Sequence, residues 1–166
     1  YPGLKISIGD TPSCSVLDEF SGVDEIRPGN FAFYDVMQYF IGSCSINDIA
    51  VALACPVVAV YPERNEMAVY GGAVHLSKDY CMDNSGEMVF GLVVPLTSEG
   101  WGEPFPETFV ARLSQEHGII KTIPEVLGRI TPGDVVGVLP VHSCLTANLA
   151  EYYFTPVGRK IGKMRS

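Results

Sequence analysis

His142-Ser143-Cys144 follows directly on the apolar run Val135 to Val141. In an extended chain, residues i and i+2 point to one side, so an imidazole and a thiol at this spacing can grip one ion together. Thiolate plus imidazole favours zinc over magnesium or manganese, which prefer carboxylate oxygen. Two protein ligands are fewer than a closed structural zinc site uses, which leaves positions for water or substrate. The competing reading is a strand-end histidine beside a buried cysteine.

Two further segments carry residues that let a backbone approach an anion. Gly9-Asp10-Thr11-Pro12-Ser13 ends the first apolar run, with small and hydroxyl side chains beside free N–H groups. Arg27-Pro28-Gly29-Asn30 opens the next, its glycine again permitting close approach. Capped Gly-Pro turns explain both equally well. The titratable cluster Gln115-Glu116-His117-Gly118 and His75, which follows Gly71-Gly72, could supply an acid, a base or a ligand, or structural histidines. A Ser/His or Cys/His hydrolase is conceivable on residue types, but no GxSxG elbow occurs.

These residues must be positioned by strands. Apolar runs of strand length recur between Gly, Pro, Asp and Asn punctuation: Lys5 to Ile8, Phe31 to Val36, Ile49 to Val60, Glu66 to Tyr70, Met88 to Leu96, Phe109 to Leu113, Gly118 to Ile120 and Val135 to Val141. Helical spacing is confined to Ser13 to Phe20 and Thr122 to Gly128, a turn or two each. Thr131-Pro132-Gly133-Asp134 is a turn that feeds the strand before His142. Ser98 to Thr108 reads as a long loop. A mainly β chain, barrel or sandwich, is expected.

At 166 residues the chain can bury about two thirds of its unfolded surface as one domain. Hydrophobic residues make up 47% and mean hydropathy is +0.21, which points to surface covered by further protein. The chain begins at Tyr1 and enters a strand without a polar leader, as though cut from something longer. A net charge of −8 argues against nucleic acid, which needs a basic face. Arg159, Lys160, Lys163 and Arg165 crowd the last eight positions and read as a solvated tail. The longest charge-free apolar stretch, Ile49 to Tyr61, is too short to span a bilayer and contains Pro56. Cys14, Cys44, Cys55, Cys81 and Cys144 are odd in number and show no CxxC spacing, so reduced thiols and a cytoplasmic location are expected.

The segments GDTPSC, DEIRPGNFAFYD, CPVVA, YGGAVHLSKD, SQEHG and GDVVGVLPVHSCLTANL stand in one order from about Ile6 to Tyr153. That series resembles the C-terminal part of the D-serine dehydratase and D-threonine aldolase family of metal-activated pyridoxal enzymes. The resemblance implies an alanine-racemase-like architecture: an N-terminal (β/α)8 barrel holding pyridoxal 5'-phosphate, and a C-terminal β domain packed across a homodimer. Residues 1–35 would then be the last piece of that barrel, and residues 36–166 the β domain.

By the same resemblance, Gly9, Thr11, Arg27, Gly29, Asn30 and Tyr34 line the cofactor phosphate region, consistent with phosphate sites on the last loops of such barrels. His142 and Cys144 match the zinc pair of the dehydratase branch; the aldolase branch carries a carboxylate in place of the thiol. Glu116 and His117 are candidates for shaping the catalytic site. The implied reaction is conversion of D-serine to pyruvate and ammonia, with retro-aldol cleavage of D-threonine and racemisation as alternatives. A noncatalytic zinc or small-ligand module is the alternative of another class. The family's Schiff-base lysine matches neither Lys5 nor Lys78, so this chain alone is expected to be inactive.

Overall fold

The computed structural model describes residues 2–163. Tyr1 and Arg165 lie outside the described residues.

Two short strands, β1 (Ser7–Ile8) and β2 (Glu25–Ile26), pair in parallel, with helix α1 (Thr11–Val16) on the connection between them. Asp10 caps α1 by accepting the Ser13 N–H at 2.8 Å, and Pro12 sits in the first turn, where its missing donor costs nothing. The next element corrects the expected strand over Phe31 to Val36. Residues 31–33 are a turn, and helix α2 (Val36–Phe40) follows. Asp35 accepts the Gln38 N–H at 2.9 Å, and this cap overrides the β preference of the aromatic and β-branched residues around it.

From Leu53 onward the strands are those of a barrel. Strands β3 (Leu53–Tyr61) and β4 (Glu66–Tyr70) form a hairpin closed by Asn65, which takes the left-handed conformation that asparagine tolerates. Helix α3 (Ala73–Leu76) and the small hairpin β5 (Cys81–Met82) with β6 (Met88–Val89) precede β7 (Gly91–Thr97). The expected loop Ser98 to Thr108 contains β8 (Gly100–Trp101), which folds back on β7. Then come β9 (Phe109–Leu113), β10 (His117–Lys121), helix α4 (Pro124–Leu127) and β11 (Val135–Pro140).

Antiparallel pairing runs β11-β3-β4-β10-β9-β7, and β7 pairs back to β11, so six strands close into a barrel. Period-two alternation sorts the side chains. Val93, Val136 and Val138 join Val57, Val69, Val110 and Ile120 in the barrel interior, while their neighbours Val94 and Leu139 pack outward against Val36 and Ile49. α4 contributes Val126 and Leu127 to the interior cluster and α3 contributes Leu76.

The chain after β11 departs most from expectation. The strand ends at Pro140 and helix α5 (Ser143–Leu149) begins at Ser143, inside the segment expected to stay extended through Cys144. Residues 152–162 form a hairpin, β12 (Tyr152–Phe154) with β13 (Lys160–Gly162), on which Arg159, Lys160 and Lys163 are exposed as expected of solvated charges. Lys160 lies 3.5 Å from the centroid of the Tyr152 ring, and Lys163 donates to the Asn148 carbonyl at 2.7 Å, at the C-terminal turn of α5, where a cation is favoured. Among the described residues no helix is long and apolar enough to cross a membrane.

Candidate functional site at the β11–α5 junction

Because the barrel strands alternate in direction, one end gathers the start of β3, β7 and β10 and the end of β4, β9 and β11. Every cluster singled out for the barrel domain lies at this end. His142 stands between β11 and α5 in extended conformation, at φ −129° and ψ 94°, and Cys144 is the second residue of the helix. The two side chains are thus separated by a strand-to-helix corner, and not by the pleat of one strand.

His142 is anchored by its inner nitrogen. Nδ1 lies 2.7 Å from Asp79 Oδ2; the tautomer that donates from Nδ1 to this carboxylate leaves Nε2 as an acceptor. Asp79 follows α3, which packs beside α5; the Thr146 hydroxyl donates to the Leu76 carbonyl at 3.3 Å between them. A carboxylate on the far nitrogen is the usual support of a metal-binding histidine. Asp79 was not singled out in the sequence, although its place in the YGGAVHLSKD segment was the available signal.

Cys144 faces the loop before α2. Its Sγ is 3.6 Å from Asn30 Oδ1 and 3.7 Å from the Gly29 carbonyl. Around it is a buried polar network of which the sequence alone singles out Asn30 and Thr11 but not Asp35 or the role of Ser143. The Ser143 hydroxyl donates to Asn30 Oδ1 at 2.6 Å, Asn30 Nδ2 donates to Asp35, and the Ser143 N–H donates to the same carboxylate oxygen at 3.1 Å. The Asn30 N–H in turn donates to the Thr11 hydroxyl at 3.0 Å. Burying these groups is tolerable because each is partnered.

The remaining candidates divide. Arg27 Nε donates to Ser7 Oγ at 2.8 Å, and its side chain is exposed, next to Gly9. Gly29 faces open space, since a Cβ built on it would meet nothing within 4 Å. The Tyr34 hydroxyl lies 3.0 Å from Ser15 Oγ, its backbone at φ 47°. Glu116 and His117 are exposed on the turn into β10, and the Tyr70 ring packs edge-on against both His117 and His75, at 5.7 and 5.1 Å between centroids. His75 Nδ1 accepts the Gly72 N–H at 3.3 Å, a structural engagement. Among the described residues no three His, Cys, Asp or Glu side chains cluster closely enough to hold a metal ion by themselves.

Comparison with known proteins gives the chain a family. The chain is 36% identical over 162 residues to a D-serine dehydratase of Dictyostelium discoideum, across 92% of this chain and 39% of that protein. It is 26% identical over 151 residues to a D-threo-3-hydroxyaspartate dehydratase of a Delftia species, across 87% of this chain and 39% of that protein. An alanine-racemase-like protein of Idiomarina loihiensis superposes with a TM-score of 0.81 at 26% identity, over 95% of this chain and 42% of its own. The chain therefore spans about two fifths of the length of the curated relatives it matches. Residues 50–155 match the family model for the serine dehydratase domain, and the chain belongs to that family.

Proposed function

We propose that this chain is the metal-binding C-terminal portion of a pyridoxal-phosphate- and zinc-dependent D-amino-acid lyase, acting on D-serine. The observation that carries the reading is the meeting of two sets of residues. Cys144, next to His142 at the β11–α5 junction, stands against the Gly29–Asn30 loop, so a metal held by the pair would lie beside an anion held by the loop.

The residues present fit both groups. An imidazole nitrogen whose partner nitrogen is fixed by a carboxylate, together with a half-buried thiol, is a zinc-type donor pair that leaves coordination positions open. His142 and Cys144 would hold the metal; Asp79 would set the imidazole's direction. Gly29 offers bare backbone to open space, Gly9 and Thr11 lie across from it, and Arg27 supplies a cation. Asn30 belongs to the scaffold, because its N–H and its side-chain amide are both engaged within the chain. Tyr34 borders the same wall through Ser15.

When bound, pyridoxal phosphate supplies an electron sink for α-proton loss, and zinc supplies a Lewis acid for a β-hydroxyl leaving group. Asp79 and the buried Asn30–Asp35–Ser143 network keep His142 and Cys144 aimed. Glu116 and His117, at the same barrel end, are proposed to shape the substrate side of the site. Residues 1–35 would complete an N-terminal barrel that bears the lysine for the cofactor, and residues 36–166 form the β domain. A homodimer and a cytoplasmic setting, with reduced thiols, belong to the same proposal.

The test is pyruvate release from D-serine by the native-length protein with pyridoxal phosphate, before and after chelation and zinc restoration. Zinc-restored pyruvate formation that is lost in His142→Ala and Cys144→Ala, by about a hundredfold or more in kcat/KM, is the expected result. Glycine and acetaldehyde from D-threonine, or turnover of D-threo-3-hydroxyaspartate alone, would move the assignment within the family. Zinc binding without turnover of any of these would make the domain a binding module.

A further inference from the structure

Thr11, Asn30, Asp35 and Ser143 are exposed by only 6, 9, 2 and 0%, yet they come from three stretches of chain, and every hydrogen bond that joins them uses at least one side chain. Asn30 cannot turn its amide within this network. Its Nδ2 is on the Asp35 carboxylate and its Oδ1 takes the Ser143 hydroxyl, so a flip would set oxygen against carboxylate. Asp35 also caps α2 through the Gln38 N–H and takes the Ser143 N–H at the start of α5. The Gly29–Asn30 loop and the first turn of α5 are therefore one mechanical unit, with Cys144 against both residues of the loop.

We propose that Asn30, Asp35 and Ser143 are positioning residues that couple the metal pair to the anion loop, so that filling either site tightens the other. The inference rests on the reading under Proposed function. Opening this clamp would strand buried polar groups, and closing it presents the loop backbone and the His142–Cys144 pair together. A ligand at one site favours the closed clamp and leaves less ordering for the second ligand to impose. By linkage the factor must be the same in both directions.

Zinc affinity of the native-length protein, read by competition with a chromophoric chelator, should rise about fivefold or more when pyridoxal phosphate is present, and cofactor affinity should rise by the same factor with zinc. Asp35→Asn and Ser143→Ala should bring that factor toward one. Asp79→Asn should weaken zinc with and without cofactor alike and leave the factor intact, which separates coupling from simple support of a ligand. A wild-type factor of one, or a factor unchanged in both clamp variants, overturns the coupling while the lyase reading stands. Failure to bind zinc or cofactor at all overturns that reading and the coupling with it. Amide exchange of the wild-type protein needs no variant: zinc alone should slow exchange over residues 29–35 as well as 141–146. Protection confined to 141–146 overturns the proposal.

Discussion

Five cysteines sit in this chain, and their surroundings divide them by chemistry. Burial in the barrel interior pushes the Cys55 thiol up to about 12. Burial, followed by the negative charges of Asp48 and Asp35, holds Cys44 at about 11, and burial followed by Asp35 and Asp83 does the same for Cys81. A thiol reacts as its thiolate, so at pH 7 to 8 these three are almost wholly in the unreactive form. Alkylation by iodoacetamide followed by peptide mapping should show Cys44 and Cys81 labelled slowly, with rates climbing about tenfold per pH unit up to pH 9. Cys55 should stay unlabelled until the protein unfolds. Labelling of Cys55 at the same rate in buffer and in denaturant would contradict the buried assignment. All five cysteines are free in the structure.

Helix ends and turns show which elements the sequence reveals and which it hides. β4 and β9 coincide with their expected runs, since each is a short apolar run of strand length bounded by polar and turn residues. α2 was hidden by Phe31, Phe33, Tyr34 and Val36, residues that favour strands, although Asp35 with Gln38 three residues on is a helix-start signal. α5 was hidden because Ser143, Thr146 and Asn148 are weak helix formers and follow a strand without a break residue. His142 and Cys144 were therefore legible by residue type as a candidate pair, and the strand-to-helix corner between them was not. Three local Asp–Ser pairs, Asp10 with Ser13, Asp48 with Ser45 and Asp83 with Ser85, carry a pH dependence. Asp10, Asp48 and Asp83 lie below the ordinary 3.8, chiefly through the hydroxyls of Ser13, Ser45 and Ser85. A carboxylate lowered on folding stabilises above its unfolded value, and that contribution disappears as pH falls through the folded one. The melting temperature should fall as pH drops from 5 toward 2.5 at constant salt, and the triple variant Asp10→Asn, Asp48→Asn, Asp83→Asn should flatten the curve; an unchanged slope would refute the assignment.

The YGG and EHG segments belong to element packing as much as to chemistry. Gly71 donates to the Glu116 carbonyl at 3.0 Å and Ala73 to the Ser114 carbonyl at 2.9 Å, extending the β4–β10 seam past its end. A Cβ on Gly72 would stand 2.5 Å from the backbone of Gln115, Glu116 and His117, where nothing flexible can yield. Gly72→Ala should cost about 1–3 kcal/mol by overpacking, measured as a shift in urea midpoint with the slope retained. A neutral result would mean that this seam relaxes freely.

At the scale of the whole molecule the chain has two unlike parts. The barrel closes on its own core, whereas the segment before α2 leaves Leu4, Ile6, Val16, Leu17 and Phe31 half exposed or more. Apolar side chains exposed in this number on one short segment call for covering protein, and the relatives are more than twice as long as this chain. Yet the same segment supplies Thr11, Asn30 and Asp35 to the network under α5. Removing residues 1–35 should therefore have two separable effects. Dye binding and self-association of the isolated chain should fall, because the exposed apolar side chains are gone. Amide exchange over residues 143–146 should accelerate, because Ser143 loses both its Asn30 and its Asp35 partners, while strands β3, β4 and β10, paired on both sides, keep their protection. If exchange accelerated throughout the barrel instead, the N-terminal segment would be part of one cooperative fold, and the boundary proposed at residue 35 would have to be abandoned.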